Sequence, residues 1–386
     1  MLRRFPVMVV PVAVLVGGCA GAAAHGTPSA HTAPTPAASP ARRGCTVTAR
    51  RTLRHVAMRA YAQVAHGPNV VSAVRRVSES RALAAAVARG DAGAARRALH
   101  PLLRAQITRI VVTRGGRVLA SLGSGAAPAP VRGTIRGAAG TPVGRYTLSV
   151  GDDSGLADLI HRLTGDQVVF TAGGREVAGT VTAGRAALSR PGVSSFPATA
   201  FPHGSLRVWL LNSAAAPRAC GVVDTIGLIG ERLVRDESAG AATVRVLHVV
   251  AHDPRFAAAV AARHPAAVRA QIVRFFQDPS LHVVRIRAVT PTGRLINDVG
   301  GPYVLAPATT TVRQGGHVVG RVTLSIQDDT GYIKLMHRFT GAKVLLRTAA
   351  GRVPGSTLSP GRNGRVFSFT TRAFPSGPLR VSLLVP

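Results

Sequence analysis

Several features are scarce in this sequence, and each scarcity argues against a class of function. Aromatic residues make up 4% of the 386 residues, which is few for a protein that stacks nucleic-acid bases. Acidic residues number 16, and no serine or cysteine has an evident partner base, which argues against an enzyme. Beyond the N-terminal region no run is long and apolar enough to span a membrane, so we expect no intracellular signalling domain.

Positive charge, by contrast, is abundant and comes almost entirely from arginine. The formal net charge is +32, and Lys334 and Lys343 are the only lysines. Two interpretations remain open. The charge can attract anionic lipid head groups, wall polymers or acidic ligands. It can equally reflect a high-GC genome, which favours codons for Arg, Ala, Gly and Val.

The N-terminus has the pattern of an export signal. Met1-Leu2-Arg3-Arg4 is basic, and residues 5–16 form an apolar run that is too short to span a bilayer. The following Val16-Gly17-Gly18-Cys19 resembles the lipobox of bacterial lipoproteins. The resemblance implies a signal peptide over residues 1–19, lipidation of Cys19 and attachment to the outer face of the cytoplasmic membrane. An ordinary signal peptide with a chance cysteine is the alternative.

Residues 20–44 differ in composition from the chain that follows. They contain mostly Ala, Pro, Thr, Ser and His, with no acidic residue and no apolar periodicity. Such a segment cannot bury a core, so we predict a disordered tether between the membrane and the folded part.

The strongest signal in the sequence is an internal repeat. Matching segments occur in the same order in both halves, namely residues 144–155 and 320–331, 161–165 and 337–341, and 200–208 and 373–381. Cys45 and Cys220 stand at the head of the two repeats. The repeat predicts two tandem domains, copy 1 over residues 45–213 and copy 2 over residues 214–386.

The two copies share one predicted order of elements. Helical stripes come first, and Ser80 and Asp253 are expected to cap two of these helices. Short β-branched runs separated by Gly-containing turns follow, which is typical of antiparallel hairpins. A short helix from about residue 331 to 339 interrupts the strands of copy 2. Helices that lead into an antiparallel sheet with a crossover helix predict an α+β fold in each copy.

Two segments of copy 2 carry a more specific pattern. Residues 318–325 run into Asp328-Asp329-Thr330-Gly331-Tyr332, and residues 296–303 form a strand that leads into a loop. Together they resemble the extracytoplasmic PAS-like sensor domains called Cache, and the repeat extends the resemblance to both copies. It implies a pocket on the sheet for a small metabolite, with no cofactor. Family members usually carry a transmembrane helix and a signalling output, so it also implies a separate membrane signalling or transport partner.

Paired aspartates recur where the crossover helix begins, as Asp152-Asp153 in copy 1 and Asp328-Asp329 in copy 2. One interpretation is helix capping, in which a carboxylate accepts hydrogen bonds from the first-turn amides. The other interpretation has one aspartate facing a ligand amine or an arginine beside the pocket. The two roles can coexist.

Copy 2 carries the candidate ligand-binding residues. Tyr332 stands where copy 1 has Leu156, so copy 2 offers an aromatic hydroxyl. Arg285 and Arg287 lie on one face of a predicted strand, and a guanidinium binds a carboxylate through two hydrogen bonds. A solvated arginine face is the alternative. The predicted small-molecule site consists of Arg285, Arg287, Tyr303, Asp328 and Tyr332.

Cysteine and histidine positions give two further hypotheses. Cys45 and Cys220 are equivalent positions outside the reducing cytoplasm, so we predict a disulfide between them, with two free thiols as the alternative. His248 and His252 stand four residues apart beside Asp253, a spacing that can hold a metal. No third ligand recurs nearby and Asp253 suits a helix cap, so we predict no metal site.

Three functions compete at this point. The expected one is a lipid-anchored extracytoplasmic sensor that binds a small carboxylate or amino-acid-like metabolite and has no signalling output of its own. The second is a non-catalytic envelope scaffold that binds anionic lipid or wall polymer through its arginine-rich surface. An enzyme has the least support. The expected partners are the small ligand and the membrane, and nucleic acid is not among them.

Overall fold

The structure is a computed structural model, and it describes residues 40–103, 107–123, 127–201, 204–211, 221–301, 304–356, 365–374 and 377–385. The predicted signal peptide, Cys19, Cys220 and Tyr303 lie outside these residues. The first helix begins at Pro40, so the last residues of the predicted tether belong to it.

Copy 1 begins with helices and continues into strands. The helices are α1 (Pro40–His66), α2 (Pro68–Glu79), α3 (Arg81–Arg89) and α4 (Ala92–Leu103). The strands β1 (Arg109–Arg114), β2 (Arg117–Leu122), β3 (Val131–Arg136) and β4 (Pro142–Ser149) follow. After the crossover helix α5 (Asp153–Thr164) come β5 (Gln167–Ala172), β6 (Arg175–Gly179), the short helix α6 (Arg185–Leu188), β7 (Ser194–Ala200) and β8 (Gly204–Leu211).

Copy 2 repeats this order. Its helices are α7 (Val222–Ala239), α8 (Ala241–Ala251), α9 (Pro254–Ala261) and α10 (Pro265–Gln277). The strands β9 (Arg285–Val289), β10 (Leu295–Gly300), β11 (Val304–Leu305), β12 (Ala308–Gln314) and β13 (His317–Ser325) follow. After the crossover helix α11 (Asp329–Thr340) come β14 (Lys343–Thr348), β15 (Gly351–Arg352), β16 (Val366–Phe374) and β17 (Gly377–Leu384).

The described strands form four antiparallel sheets, two in each copy. The first sheets have the orders β2-β1-β4-β3 and β10-β9-β13-β12, and the second sheets have the orders β6-β5-β8-β7 and β11-β16-β17-β14-β15. The predicted α+β class is confirmed. Apart from the short strand β11, which precedes α11 but pairs with β16, the strands of each copy divide at the crossover helix, whereas the sequence pattern indicated a single sheet. Strand periodicity identifies strands but not their partners, and β4 pairs with β1 and β3 rather than with β5.

Side-chain caps fix where two of the helices begin. The Ser80 hydroxyl accepts a hydrogen bond from the backbone N–H of Leu83 at 3.3 Å. Asp253 accepts one from the N–H of Phe256 at 2.8 Å, with Pro254 in the first turn of α9. Because a cap satisfies amides that have no partner inside the helix, both helices start at the predicted residues.

The buried apolar side chains form three cores. In each copy, three helices cover one face of the first sheet, with α2–α4 in copy 1 and α8–α10 in copy 2. The third core, called here the shared core, contains residues of both copies. It joins α1, α5 and the second sheet of copy 1 to α7, α11 and the second sheet of copy 2. The two copies are therefore joined by core packing.

The helix contacts across the shared core are reciprocal. Helix α1 of copy 1 contacts α11 of copy 2, and helix α7 of copy 2 contacts α5 of copy 1. The two long helices α1 and α7 also contact each other. Each copy thus gives its partner copy the same pair of elements, as the subunits of a twofold homodimer do. None of the described helices combines the length and the hydropathy needed to cross a bilayer.

Candidate functional site

The predicted arginine face of copy 2 exists, and an internal carboxylate occupies it. Strand alternation on β9 turns Arg285 and Arg287 to one side and the buried Ile286 and Ala288 to the other. Asp298 on β10 lies beside both arginines. It accepts two hydrogen bonds from Arg285, one from Nε and one from Nη2, each at 2.8 Å. In the structure these arginines therefore bind a carboxylate of the protein itself.

Further contacts enclose the Arg285 guanidinium. Its Nη1 donates to the carbonyl of Gly301 at 2.6 Å, and its Cζ lies 4.8 Å from the ring centre of Phe374. Arg287 shares the same partners less closely, with Nε 3.6 Å from Asp298 and Cζ 5.3 Å from the Phe374 ring. The side chains of Arg285 and Asp298 are only 12% and 14% exposed. The group links the first sheet of copy 2 to β16 of the second sheet.

Copy 1 has the cation–π contact without the aspartate. Arg109 on β1 lies 4.5 Å from the ring centre of Phe201, which corresponds to Phe374. In copy 2, Asp298 on β10 is paired with Arg287 on β9. The residue of copy 1 that is equivalent to Asp298 is Ser121 on β2. The comparison of the two repeats did not identify Asp298 as a site residue. Its negative charge and its position within residues 296–303 were the signals that could have identified it.

Tyr332 lies in the shared core and is fully buried. Its hydroxyl donates to the carbonyl of Gly230 on α7 at 3.3 Å, and burial raises the pKa of the phenol well above its ordinary value. The prediction that Tyr332 contacts a ligand finds no support in this position, because α7 covers the hydroxyl. Tyr303, the other predicted tyrosine, lies outside the described residues.

The capping interpretation of the paired aspartates is confirmed in both copies. Asp328 accepts a hydrogen bond from the backbone N–H of Gly331, and Asp152 accepts one from that of Gly155. Asp329, the second member of the copy 2 pair, accepts from the N–H of Thr330 at 2.9 Å. Burial raises the pKa of the Asp329 carboxyl. Asp328 thus has a structural role, and its predicted role in ligand binding remains a prediction.

An open groove of about 950 Å³ lies on copy 1, along β3, β4 and the turn between β1 and β2. None of its lining residues is acidic. The charged and hydroxyl-bearing residues that line it are Arg132, Arg136, Arg145, Thr113, Thr134, Tyr146 and Thr147.

Strand alternation brings the groove arginines to one face. On β3, Arg132 and Arg136 point away from the core that buries Ile135. Arg132 is paired with Thr147 and Arg145 with Thr134, so Arg132 and Arg145 are diagonal neighbours across β3 and β4. Diagonal neighbours on one face have Cα atoms about 7–8 Å apart, so both guanidiniums can reach one anion between them. Arg136 donates a hydrogen bond to the carbonyl of Gly140 at 2.8 Å, which holds its guanidinium against the β3–β4 hairpin.

The equivalent face of copy 2 differs at one position. Thr309 is paired with Thr323 as Arg132 is paired with Thr147, and the two threonine hydroxyls lie 2.9 Å apart. Arg321 corresponds to Arg145. Copy 2 therefore has one arginine where copy 1 has two. The paired arginines therefore lie in copy 1, whereas the sequence pattern placed the candidate residues in copy 2. The alternation in residues 131–136 was the signal that could have identified the pair.

The two histidines at the end of α8 contact each other, and the neighbouring Asp253 is engaged elsewhere. His248 and His252 stack with ring centres 4.0 Å apart, and Asp253 is engaged by Arg274 at 2.6 Å. No group of three potential ligands occurs among the residues that the structure describes. His161 on the crossover helix contacts the carbonyl of Asp166 at 2.8 Å, which gives it a structural role.

Cys45 on α1 is half-buried and disulfide-bonded. Because Cys19 and Cys220 both lie outside the described residues, the pairing of Cys45 with Cys220 stays a prediction. Lipidation of Cys19 stays a prediction for the same reason.

No protein-family model matches the chain, and no curated protein matches it in sequence. Among solved structures, the periplasmic domain of LuxQ from Vibrio cholerae is similar at 9% sequence identity, with a TM-score of 0.30. The alignment covers 44% of this chain and 99% of the LuxQ chain. A similarity this weak does not transfer a ligand or a partner.

Proposed function

We propose that this protein is a non-catalytic, extracytoplasmic binding protein of the sensor type, and that copy 1 holds its ligand. The observation that carries the proposal is the Arg132–Arg145 pair on an open groove whose lining contains no carboxylate. Copy 2 binds its own Asp298 at the neighbouring part of the same sheet face, so an external anion has a competitor there.

The chemistry of the groove selects the ligand class. A guanidinium donates two parallel hydrogen bonds to a carboxylate or a phosphate, and two guanidiniums compensate more than one negative charge. Threonine hydroxyls along the groove can donate to further oxygen atoms. A volume of about 950 Å³ lies within the range of small-molecule sites. The proposed ligand is a small metabolite with at least one carboxylate or phosphate group.

The proposed location rests on the N-terminal sequence. The basic start, the apolar run and the lipobox-like residues favour export and attachment through a lipid on Cys19. A membrane protein that reads the ligand-bound state would then act as the signalling or transport partner. An enzyme remains the less favoured alternative, because the groove offers arginines and hydroxyls without a base beside a nucleophile.

A thermal-shift screen tests this function directly. The protein is heated with monocarboxylates, dicarboxylates, amino acids and phosphate esters, each over a range of concentrations. A ligand at about a hundred times its Kd stabilises the folded state by roughly 2.7 kcal/mol, which moves the melting temperature measurably. We expect a saturable shift for one anionic class and none for amines.

Matched variants locate the site. Arg145→Ser in copy 1 should abolish the shift, while Arg321→Ser at the equivalent position of copy 2 should leave it intact. A shift that disappears in Arg321→Ser and survives in Arg145→Ser would place the ligand in copy 2. A panel without any saturable shift would contradict the sensor function.

A further inference from the structure

The C-terminal part of copy 2 has an unbalanced positive charge that the equivalent part of copy 1 lacks. Residues 330–386 contain nine Lys and Arg and no Asp or Glu. The equivalent residues 154–213 contain five Arg and three acidic residues. Both copies are encoded in the same genome, so codon composition cannot account for the difference. A cause specific to this surface is needed.

Strand register concentrates the charge in a straight row. Arg347 on β14 is paired directly with Arg352 on β15 and with Arg380 on β17. These three residues, called here the arginine row, are all exposed. Arg372 on β16 is exposed on the same face, two residues from Thr370, which is paired with Arg380. The row therefore crosses three adjacent strands, with a fourth arginine at its end.

No carboxylate compensates the row within the described part of the chain. The ion pairs found there involve other arginines. Arg352 donates to the carbonyl of Ser356, which is a neutral acceptor. Like charges directly opposite each other destabilise a sheet, so the row opposes folding as long as it has no counter-anion.

Copy 1 shows what a balanced row looks like at the same register. Thr171 on β5 is paired with Glu176 on β6 and with Arg207 on β8. Copy 1 thus places Glu, Thr and Arg where copy 2 places three arginines. The fold itself does not require arginine at these positions.

We propose that the arginine row binds a linear anionic polymer with closely spaced phosphate groups. Neighbouring strands lie about 4.8 Å apart, so the row presents three guanidiniums in a line about 10 Å long. Guanidinium is the side-chain group that binds phosphate through two hydrogen bonds. This surface is separate from the groove of copy 1, and the proposal stands independently of the small ligand proposed there.

The surroundings of the row favour a polymer over a lipid bilayer. Hydroxyl groups lie on the same face, including Ser368 and Ser382, whose oxygens are 2.9 Å apart. Elements that bind a membrane surface usually insert large apolar or aromatic side chains beside their basic residues. Among the described residues of this face, the exposed large apolar side chain is Val366, at the end remote from the row.

The test replaces the row with its copy 1 counterpart. The double variant Arg347→Thr/Arg352→Glu recreates the Glu, Thr and Arg arrangement that copy 1 already folds with. Binding of the full protein to long-chain inorganic polyphosphate is measured by titration at several salt concentrations. We expect roughly tenfold weaker binding in the variant at about 0.1 M salt, and a log–log salt slope lower by about two. The variant should also melt at a higher temperature, because opposed like charges are gone.

Two controls decide the outcome. Arg81→Glu/Arg96→Thr changes the net charge equally at exposed helix positions, and it should retain affinity within about twofold if the row is specific. Arg380→Ser, introduced alone into the unmodified protein, should also weaken polyphosphate binding. Equal loss in the helix control, or no binding of polyphosphate by the unmodified protein, would overturn the proposal. Binding to vesicles containing phosphatidylglycerol without binding to polyphosphate would overturn it in favour of a membrane surface.

Discussion

At the scale of single residues, Asp298 determines what the arginine face of copy 2 can bind. Its carboxylate takes two hydrogen bonds from Arg285 and lies 3.6 Å from Arg287. In copy 1 a serine occupies the equivalent position. Desolvated charges need a partner, so Asp298 has a stabilising role that cannot be removed without leaving two arginines exposed to each other's charge.

Replacing Asp298 by serine should therefore destabilise the protein markedly. Removal of one partner of a mostly buried ion pair costs about 3 kcal/mol, and the like-charged pair left behind adds to the loss. Urea unfolding of Asp298→Ser gives the magnitude. Added sulfate or acetate should restore more stability to this variant than to the unmodified protein, because a small anion can enter between the arginines.

Asp158→Ser provides the control, since it removes the same charge from an exposed position on α5. It should change the unfolding free energy by less than about 0.5 kcal/mol. A loss of similar size in both variants would mean that overall charge, and not the contacts of Asp298, accounts for the effect.

At the scale of elements, both crossover helices end against the other copy. Gly165 closes α5 in the left-handed region at φ +73°, and Gly341 closes α11 at φ +77°. Arg232 of α7 donates to the carbonyl of Leu163 in the last turn of α5 at 3.2 Å. Arg59 of α1 lies against Gly341 in the same way. Each copy thereby supplies a cation to the negative end of its partner copy's helix dipole.

Gly165→Ala should test this helix end. The left-handed backbone strains any side chain by about 1 kcal/mol, and a Cβ atom would lie 2.5 Å from the Arg232 guanidinium. Arg232 must move and lose its hydrogen bond, so we expect a total loss of about 2 kcal/mol in thermal or urea unfolding.

Gly115→Ala separates the two contributions. Gly115 also has a positive φ, +54°, and a Cβ atom added there would meet no other atom within 4 Å, so this variant should show the backbone strain alone. Equal losses at Gly115 and Gly165 would show that Arg232 contributes nothing to the end of α5.

Contacts within one element were predictable from the sequence, whereas contacts between distant elements were not. The caps formed by Ser80, Asp152, Asp253 and Asp328 were predictable, because a cap depends on residues two or three positions apart. The burial of Tyr332 was not, because it depends on α7 from another part of the chain. The same holds for the Asp298 contacts and for the diagonal pairing of Arg132 with Arg145, which require the strand register.

At the scale of the whole molecule, an ion-pair group joins the two copies beside the shared core. Arg162 of α5 contacts Asp236 at 2.5 Å and Glu237 at 3.2 Å, both on α7. Burial raises the pKa of Glu237, Arg162 opposes that rise, and Asp236 adds to it. The folded state therefore binds more protons than the unfolded state just above the ordinary carboxyl pKa, and the Glu237 contribution to stability falls as pH rises through that window.

Arg162→Ala should make this pH dependence steeper. Without the guanidinium the pKa of Glu237 rises further, because a nearly buried carboxylate loses its cation. We expect a loss of about 1 kcal/mol at about pH 8, kept small because Arg162 is 42% exposed, and a smaller loss at about pH 4.5, because the raised pKa leaves less charge on Glu237 there. Urea unfolding at both pH values measures the difference.

Glu237→Gln supplies the reference background. In that background the effect of Arg162→Ala should no longer depend on Glu237 ionisation, and its change between the two pH values should shrink. An unchanged pH difference would assign the effect to Asp236 instead.

The shared core has a consequence for how this protein can diverge over time. In a homodimer every mutation appears on both subunits, so a change that helps one face alters the other as well. Here the two halves of one chain pack together as subunits do, but each half is encoded by its own part of the gene. Asp298 could arise in one half while Ser121 remained in the other. In the same way the arginine row could form in copy 2 while copy 1 kept Glu, Thr and Arg at the equivalent positions. Duplication within a single chain thus allows the two halves to specialise while they keep a common core.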